Sequence, residues 1–220
     1  KDKTGNEQRS EIKTQNTGVV PSVETEITAT PENTNWINQD NTVVIATKNT
    51  EFTLEVSKDG KTWTKVENKT DKGSKATEKT TMYGDKIYAR LTDGDNTGKE
   101  FVYTENRIDK VKPTDTAPTG TATTDTITAT LKQTDSGDDN TSATSSGIDT
   151  SKTKYRLVED TTGTTAVSGR DWQTSNKFTG LKQNETYYIQ TQVTDKAGNT
   201  TESKVSEDGI TTGTVQSGTT

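Results

Sequence analysis

The sequence predicts an all-β protein made of two tandem antiparallel β-sandwiches, and three observations support this prediction. Thr is the commonest residue, at 50 of 220 positions, and a β-branched side chain favours the pleated surface of a sheet. Apolar and polar residues alternate in several short segments, which is the period of a strand. Two sequence landmarks recur in the same order about one domain length apart. No long segment shows the 3.6-residue period of an amphipathic helix.

The composition allows only thin hydrophobic cores. Leu, Ile, Val and Phe together occupy 32 of the 220 positions, which is below the share of about 20% under which disorder is suspected. The net charge is only −6, so self-repulsion does not hold the chain open. We therefore expect a folded protein with small cores.

The absence of two residue types excludes several kinds of chemistry. The chain has no Cys and no His, so it has no disulfide, no thiolate nucleophile and no Ser-His-Asp triad. Its Lys and Arg residues are dispersed, which gives nucleic acid no basic surface. No apolar run approaches the ~20 residues of a membrane span. Because the chain begins at Lys1 and its only Met is Met82, we expect any signal or anchor to lie outside this sequence.

The recurring landmarks define two units. Ile27-Thr-Ala-Thr30 recurs as Ile127-Thr-Ala-Thr130, and Ile87–Asp93 aligns with Ile189–Asp195. The four prolines lie near the start of each unit, where a residue that cannot donate to a central strand belongs. We predict a polar N-terminal segment or linker at 1–20, sandwiches at 21–110 and 111–213, and a flexible tail at 214–220.

Alternation places the strands within the units. In the first unit, Leu54 and Val56 precede Asp59-Gly60, which predicts a two-residue type I′ hairpin turn with Val56 opposite Trp63. In the second unit the predicted inward positions are Ile127, Ala129, Leu131, Tyr155, Leu157, Phe178, Tyr187, Ile189, Val193 and Val205.

The end of the second unit resembles a fibronectin type III domain. Leu181 precedes Tyr187 by six residues, and Val193-Thr-Asp-Lys-Ala-Gly-Asn199 follows. The resemblance matches Tyr187 to the tyrosine of the "tyrosine corner" and implies that its hydroxyl bonds to the preceding corner. Gln183 and Asn184 stand where the family often has Pro-Gly.

Other segments resemble the immunoglobulin-like repeats of Gram-positive surface proteins. They are Trp63 after Lys58-Asp-Gly-Lys-Thr62, Asn35-Trp-Ile-Asn-Gln-Asp40, Ile108-Asp-Lys-Val-Lys-Pro113 and Ser146-Gly-Ile148. Asp85 takes the position aligned with Tyr187, so the resemblance implies an immunoglobulin-like first unit and a fibronectin type III-like second unit. Residues 1–20 resemble the charged segment that follows the membrane helix in type IV pilin-like proteins of Firmicutes.

Two oxygen-rich segments are candidates for calcium binding. Asp93-Gly-Asp-Asn-Thr-Gly98 has oxygen ligands at loop positions 1, 3 and 5, but Thr104 stands where a bidentate Glu is needed. Asp135-Ser-Gly-Asp-Asp-Asn140 lies in a polar loop. We interpret both as turns or solvated loops, and we predict no metal site.

The sequence also contains candidate residues for a sugar-binding aromatic face and for an isopeptide bond. The three tryptophans, Trp36, Trp63 and Trp172, are predicted to lie in the cores rather than to form a sugar-binding face. A Lys–Asn isopeptide bond, as Gram-positive sandwiches can form, could involve Lys132 or Lys154 with Asn199, but no spacing selects a trio. We predict no catalytic, cofactor-binding or metal-binding residues and no cofactor.

The expected function is that of a non-enzymatic extracellular structural or adhesion protein. It would be the stalk or filament-subunit ectodomain of a bacterial cell surface, or otherwise a secreted protein. Expected partners are copies of itself in a filament, or host or glycan ligands, with no nucleic acid and no membrane span. The alternative is a spacer or carbohydrate-binding accessory module of a secreted glycan-degrading enzyme.

Overall fold

The structure is a computed structural model that describes residues 26–137 and 143–214. This part of the chain contains β-strands and no helix. The strands are β1 Ile27–Pro31, β2 Asn41–Thr47, β3 Thr53–Ser57, β4 Thr64–Lys65, β5 Lys69–Thr70, β6 Gly73–Thr80, β7 Lys86–Thr92, β8 Phe101–Thr104, β9 Thr114–Asp115, β10 Thr119–Ala122, β11 Ile127–Thr130, β12 Gln133–Thr134, β13 Lys154–Val158, β14 Lys177–Phe178, β15 Thr186–Thr194, β16 Thr200–Val205 and β17 Ile210–Thr211.

Residues 27–104 form two four-stranded sheets, of order β1-β2-β6-β5 and β4-β3-β7-β8. In β2 every second residue is fully or almost fully buried, as the alternation of side chains along a strand requires. β3 pairs antiparallel with β7, which places Leu54 opposite Leu91. Both residues are buried, so one face of this sheet faces a core.

Residues 114–211 form a second group of sheets. β10, β11 and β14 make one sheet, and β13, β15 and β16 make another, in which β17 also pairs with β15. β9 and β12 form a two-stranded ladder. One hydrophobic core joins Ile127, Ala129, Leu157, Phe178, Leu181, Tyr187 and Ile189, with Tyr155, Val167 and Ile210 packed against it.

The fold class is therefore confirmed as tandem antiparallel β-sandwiches. Spatial proximity groups the described chain into two compact units, one built from residues up to 28, 45–76 and 88–102, the other from 29–44, 77–87 and 103–214. The domain boundary at 110/111 stays a prediction. The predicted segment 1–20 and residues 215–220 of the predicted tail lie outside the described residues. No helix in the described residues could cross a lipid bilayer.

Three predicted inward positions of the second unit, Leu131, Tyr155 and Val205, are only half-buried. The other seven are buried.

The predicted turn after β3 is wrong. Val56 faces Thr64 rather than Trp63, and residues 58–63 form a longer loop between β3 and β4. The Asp59 carboxylate accepts hydrogen bonds from the backbone N–H groups of Lys61 and Thr62, each at 2.7 Å. Asp59 does not take the positive φ that a type I′ turn needs, because its side chain closes the wider loop instead.

The tyrosine corner is confirmed. The Tyr187 hydroxyl oxygen accepts a hydrogen bond from the backbone N–H of Lys182 at 3.2 Å, and Tyr187 itself is 5% exposed. Asn184 in the same corner has a φ of 54°, a left-handed conformation that Asn tolerates better than most residues.

Asp85 closes the equivalent corner of the first unit by a different bond. Its Oδ2 accepts hydrogen bonds from the backbone N–H of Thr81 at 2.6 Å and from that of Met82 at 3.2 Å. A short carboxylate thus performs the task that a phenol performs at Tyr187, which explains how the first unit keeps this corner without a tyrosine.

We expect Tyr187→Phe to lower the free energy of unfolding by about 1 kcal/mol, because the Lys182 N–H loses its acceptor. Chemical denaturation followed by circular dichroism measures the change. Tyr188→Phe is the matched control, since Tyr188 is the next residue and is less buried; we expect its effect to stay within about 0.5 kcal/mol. Equal effects of the two variants would contradict a specific role for the Tyr187 hydroxyl.

Candidate functional site

The segment that connects β8 to β9, residues 105–113, is anchored by four buried residues, while four others are exposed. Glu105, Ile108 and Asp109 have no exposed surface, and Pro113 is also buried. Ile37 holds the segment in place: its N–H donates to the Arg107 carbonyl at 2.8 Å, and its carbonyl accepts from the Asp109 N–H at 2.9 Å. Buried anchor residues and backbone hydrogen bonds distinguish this connection from a fully exposed flexible linker.

Glu105 anchors the start of this connecting segment through a buried network. Its Oε2 accepts hydrogen bonds from Thr80 Oγ1 at 2.8 Å, Asn41 Nδ2 at 3.1 Å and the Tyr103 hydroxyl at 3.1 Å. Its Oε1 accepts from the backbone N–H groups of residues 106 and 107, each at 2.9 Å. Five donors thus replace the water that the carboxylate loses on burial.

Tyr103 responds to the same network. Burial, reinforced by the negative charge of Glu105 and by the hydrogen bond that Tyr103 donates to it, raises the pKa of Tyr103 to about 12. The folded state therefore keeps this proton at a pH where the unfolded chain has lost it, so stability is lost as pH rises through the folded pKa.

We expect wild type to lose stability relative to Tyr103→Phe between about pH 10, the usual pKa of tyrosine, and about pH 12. Denaturation of both proteins at a series of pH values measures the difference. A difference that stays constant over this range would contradict the raised pKa. Ultraviolet titration of the tyrosines supplies an independent check on the same group.

Three aspartates meet near the end of the connecting segment. Asp109 comes from that segment, Asp135 follows β12, and Asp195 follows β15. One carboxylate oxygen from each lies within 4.8 Å of the other two. Asp109 and Asp195 are fully buried, while Asp135 is half-buried. We name these three residues the Asp cluster.

Backbone N–H groups hold the carboxylates in place. Asp109 accepts from the N–H of Ser146 at 2.7 Å and from that of Val111 at 3.1 Å. Asp135 Oδ2 accepts from the N–H of Gly147 at 2.7 Å. The resemblance segment Ser146-Gly-Ile148 therefore supplies donors to two members of the Asp cluster.

Asn199 links Asp195 to the connecting segment. Its Nδ2 donates to Asp195 Oδ2 at 2.7 Å and to the Asp109 carbonyl at 2.8 Å. Asp195 Oδ1 also accepts from the backbone N–H groups of Gly198 and Asn199. Burial raises the pKa of Asp195 despite these donors. Burial, followed by the negative charge of Asp109, raises the pKa of Asp135.

The two segments considered for calcium differ in what surrounds them. Asp93 lies in an exposed turn, where its Oδ1 accepts from the backbone N–H groups of Asp95 and Asn96. The hydrogen bond from Asn96 is the main cause of the lowered pKa of Asp93. Of the second segment, Asp135 joins the Asp cluster, while residues 138–140 lie outside the described residues.

The expectation that the tryptophans lie in the cores is wrong. All three are half-buried, and an arginine guanidinium lies over each ring. The carbon at the centre of the guanidinium is 3.9 Å from the ring centroid for Arg90 on Trp63, 4.6 Å for Arg156 on Trp172 and 5.6 Å for Arg107 on Trp36. Cation–π contact lets these rings pack at the sheet surface without being enclosed.

The candidate residues for an isopeptide bond differ in their exposure. Lys132 and Lys154 are exposed, whereas Asn199 is buried beside Asp195.

A surface groove of about 980 Å³ is lined by charged and small residues, among them Glu26, Lys48, Glu67 and Lys72, without an aromatic side chain.

No family model and no curated protein matches this chain. Among solved structures, a three-domain fragment of titin has 12% identity and a TM-score of 0.50, with 85% of this chain and 66% of that chain covered. The FN1–FN3 domains of chicken CNTN1 have 14% identity and a TM-score of 0.32, with 80% and 64% covered. The full ectodomain of mouse nectin-like molecule 4 has 11% identity and a TM-score of 0.37, with 90% and 67% covered.

The chain thus spans just under two thirds of the titin and CNTN1 fragments. At 12% identity the likeness to titin shows the fold alone. That fold is a tandem β-sandwich of the immunoglobulin and fibronectin type III kind.

Proposed function

We propose that this chain is a non-enzymatic extracellular structural or adhesion module, such as the stalk or filament-subunit ectodomain of a bacterial cell surface. The observation that carries the proposal is the tandem β-sandwich fold, with a connecting segment 105–113 that is anchored by buried residues. Hydrogen bonds with Ile37, Ser146 and Asn199 anchor this segment within its own unit, as suits a protein with a structural role.

The Asp cluster does not support a hydrolytic role. Paired carboxylates that cleave a glycosidic bond must both reach the substrate. Asp109 and Asp195 have no exposed surface, so neither carboxylate can reach a substrate. Their carboxylates accept hydrogen bonds from backbone N–H groups of neighbouring loops, which favours a structural role over catalysis.

The tryptophan faces do not favour the carbohydrate-binding alternative. A sugar ring stacks on an open aromatic face, and Arg90 and Arg156 each cover a tryptophan ring at less than 5 Å. Arg90 is further fixed by an ion pair with Glu55 at 2.8 Å, and Arg156 by a hydrogen bond to Gln190 at 2.7 Å. Opening either face would break these contacts.

The proposal is tested by displaying the full chain multivalently and screening it against polysaccharides, mucin and matrix proteins. Multivalent display retains weak single-site binding that would otherwise be missed. We expect either no binding or binding to protein ligands that Trp172→Ala leaves unchanged. Binding to a polysaccharide that Trp172→Ala abolishes, while Tyr188→Phe retains it, would overturn the proposal in favour of the carbohydrate module.

A further inference from the structure

The Asp cluster brings three carboxylates together at the spacing of ligands to one ion. Ca²⁺ binds oxygen at about 2.3–2.6 Å, so two oxygens on opposite sides of the ion are about 5 Å apart. The three oxygens of the Asp cluster lie within 4.8 Å of one another. The three oxygens are therefore close enough to one another to be ligands of one calcium ion.

A second observation points to a missing partner. Asp135 Oδ1 is shielded from solvent and has no hydrogen-bond donor, although the other oxygen of the same carboxylate is bonded to Gly147. A buried carboxylate oxygen without a donor is costly to keep. A cation in the Asp cluster would supply the interaction that this oxygen lacks.

The groups described around the Asp cluster do not neutralise it. The donors to the three carboxylates are backbone N–H groups and the Asn199 amide, which carry no net charge. Lys196 is exposed and its Nζ lies near Gly147. It forms no ion pair with these carboxylates within the described part of the chain. The buried negative charge thus lacks a fixed counter-ion.

We propose that Asp109, Asp135 and Asp195 bind one Ca²⁺ ion, which ties the connecting segment 105–113 to the loops that follow β12 and β15. The ligands are hard oxygens on three separate loops, and the site has no His or Cys. Such an irregular set suits calcium, which accepts variable geometry, better than magnesium, which requires a near-ideal octahedron. The sequence predicts no metal site, so this proposal differs from that prediction. The calcium site does not depend on which ligand, if any, the protein surface binds.

The test is calcium binding by isothermal titration calorimetry on the full chain after treatment with EDTA. We expect one ion per chain with a dissociation constant of about 10⁻⁴–10⁻³ M, the range of extracellular calcium modules. Thermal unfolding should shift to higher temperature with CaCl₂ in a saturable way, and MgCl₂ at the same concentration should have a smaller effect.

Variants separate this site from other acidic sites. Asp135→Asn removes a ligand at the least buried position, and we expect it to weaken binding at least ten-fold while the protein stays folded by circular dichroism. Asp195→Asn should do the same where it folds. Asp93→Asn, in the other segment considered for calcium, is the control and should bind like wild type.

Three results would overturn the proposal. They are no binding heat and no thermal shift at 10 mM CaCl₂, unchanged affinity in Asp135→Asn, or loss of binding in Asp93→Asn. Lys196→Ala tests the rival arrangement, in which the ammonium swings in as the counter-ion. If Lys196 has that role, the variant is less stable in EDTA and wild type does not bind calcium. If the proposal holds, the variant binds calcium at least as tightly as wild type.

Discussion

Replacing Glu105 with Gln is expected to lower the free energy of unfolding by about 2–3 kcal/mol. Glu105 has no exposed surface and accepts five hydrogen bonds. The amide of Gln would place an NH₂ group against donors at one end of the side chain. With the NH₂ at the Oε2 position, Thr80 and Tyr103 could turn their hydroxyls to accept, but the Asn41 amide would lose its acceptor. The remaining oxygen would still accept from the two backbone N–H groups.

Urea denaturation of wild type and Glu105→Gln measures this loss. Glu100→Gln is the matched control, because Glu100 lies just before β8 and is exposed; we expect a change within about 0.5 kcal/mol. A loss below about 1 kcal/mol in Glu105→Gln would mean that the buried network does not depend on an ionised acceptor. The connecting segment would then have to be held mainly by its other contacts.

Gly73→Ala is expected to lower the free energy of unfolding by about 3 kcal/mol or more. Gly73 begins β6 with a φ of +101°, and a Cβ built there would lie 1.9 Å from the carbonyl oxygen of Thr47. The backbone of β2 cannot yield without disturbing its strand pairing. The variant thus combines the strain of a positive φ with a steric clash, each costing about 1–3 kcal/mol.

Gly94→Ala separates these two causes. Gly94 has nearly the same φ, +103°, but a Cβ there would meet no atom within 4 Å. We expect a loss of about 1–2 kcal/mol from the positive φ alone. Denaturation of both variants under the same conditions gives the comparison. Equal losses would show that the close approach to Thr47 relaxes at little cost.

Much of the fold could be predicted because the sequence carries it locally. The alternation of Ile87, Ala89 and Leu91 reproduces the buried face of β7, and period-two patterns need only neighbouring residues to be recognised. The tyrosine corner was also predictable, since Leu181 and Tyr187 lie six residues apart. These features depend on short-range spacing.

The buried polar sites could not be predicted because they depend on long-range contacts. Asp109, Asp135 and Asp195 are separated by 26 and 60 residues, so no short motif contains them. The buried network of Glu105 could not be predicted for a related reason. Its partners Asn41 and Thr80 come from other strands, and a single Glu after β8 looks like any exposed acid.

Two aspartates at equivalent positions of the repeated landmark have different environments. Asp93 and Asp195 occupy equivalent positions of the repeated landmark, each at the end of the aligned segment. Asp93 is exposed in a turn, whereas Asp195 is fully buried in the Asp cluster. The buried position arises because Asn199 and the connecting segment pack over Asp195. Only the three-dimensional arrangement distinguishes them.

The prediction that the tryptophans lie in the cores is wrong because a large apolar side chain need not be fully enclosed. Arg90 and the buried Glu55 form an ion pair between neighbouring strands, and the guanidinium covers Trp63 at the same time. A cation–π stack satisfies the ring at half burial. The length of the loop between two strands decides which of their residues lie opposite each other. Because the loop at Asp59 is longer than the predicted two-residue turn, Thr64 rather than Trp63 lies opposite Val56.

The most direct test of the structural role is the backbone order parameter of residues 105–113, measured by ¹⁵N relaxation on the full chain. A connecting segment fixed by Ile37, Ser146 and Asn199 should give values of about 0.85, like those of the residues in β7 and β15. Values below about 0.6 across the segment would show a flexible linker. That result would contradict the anchoring of the connecting segment that supports the proposed structural role.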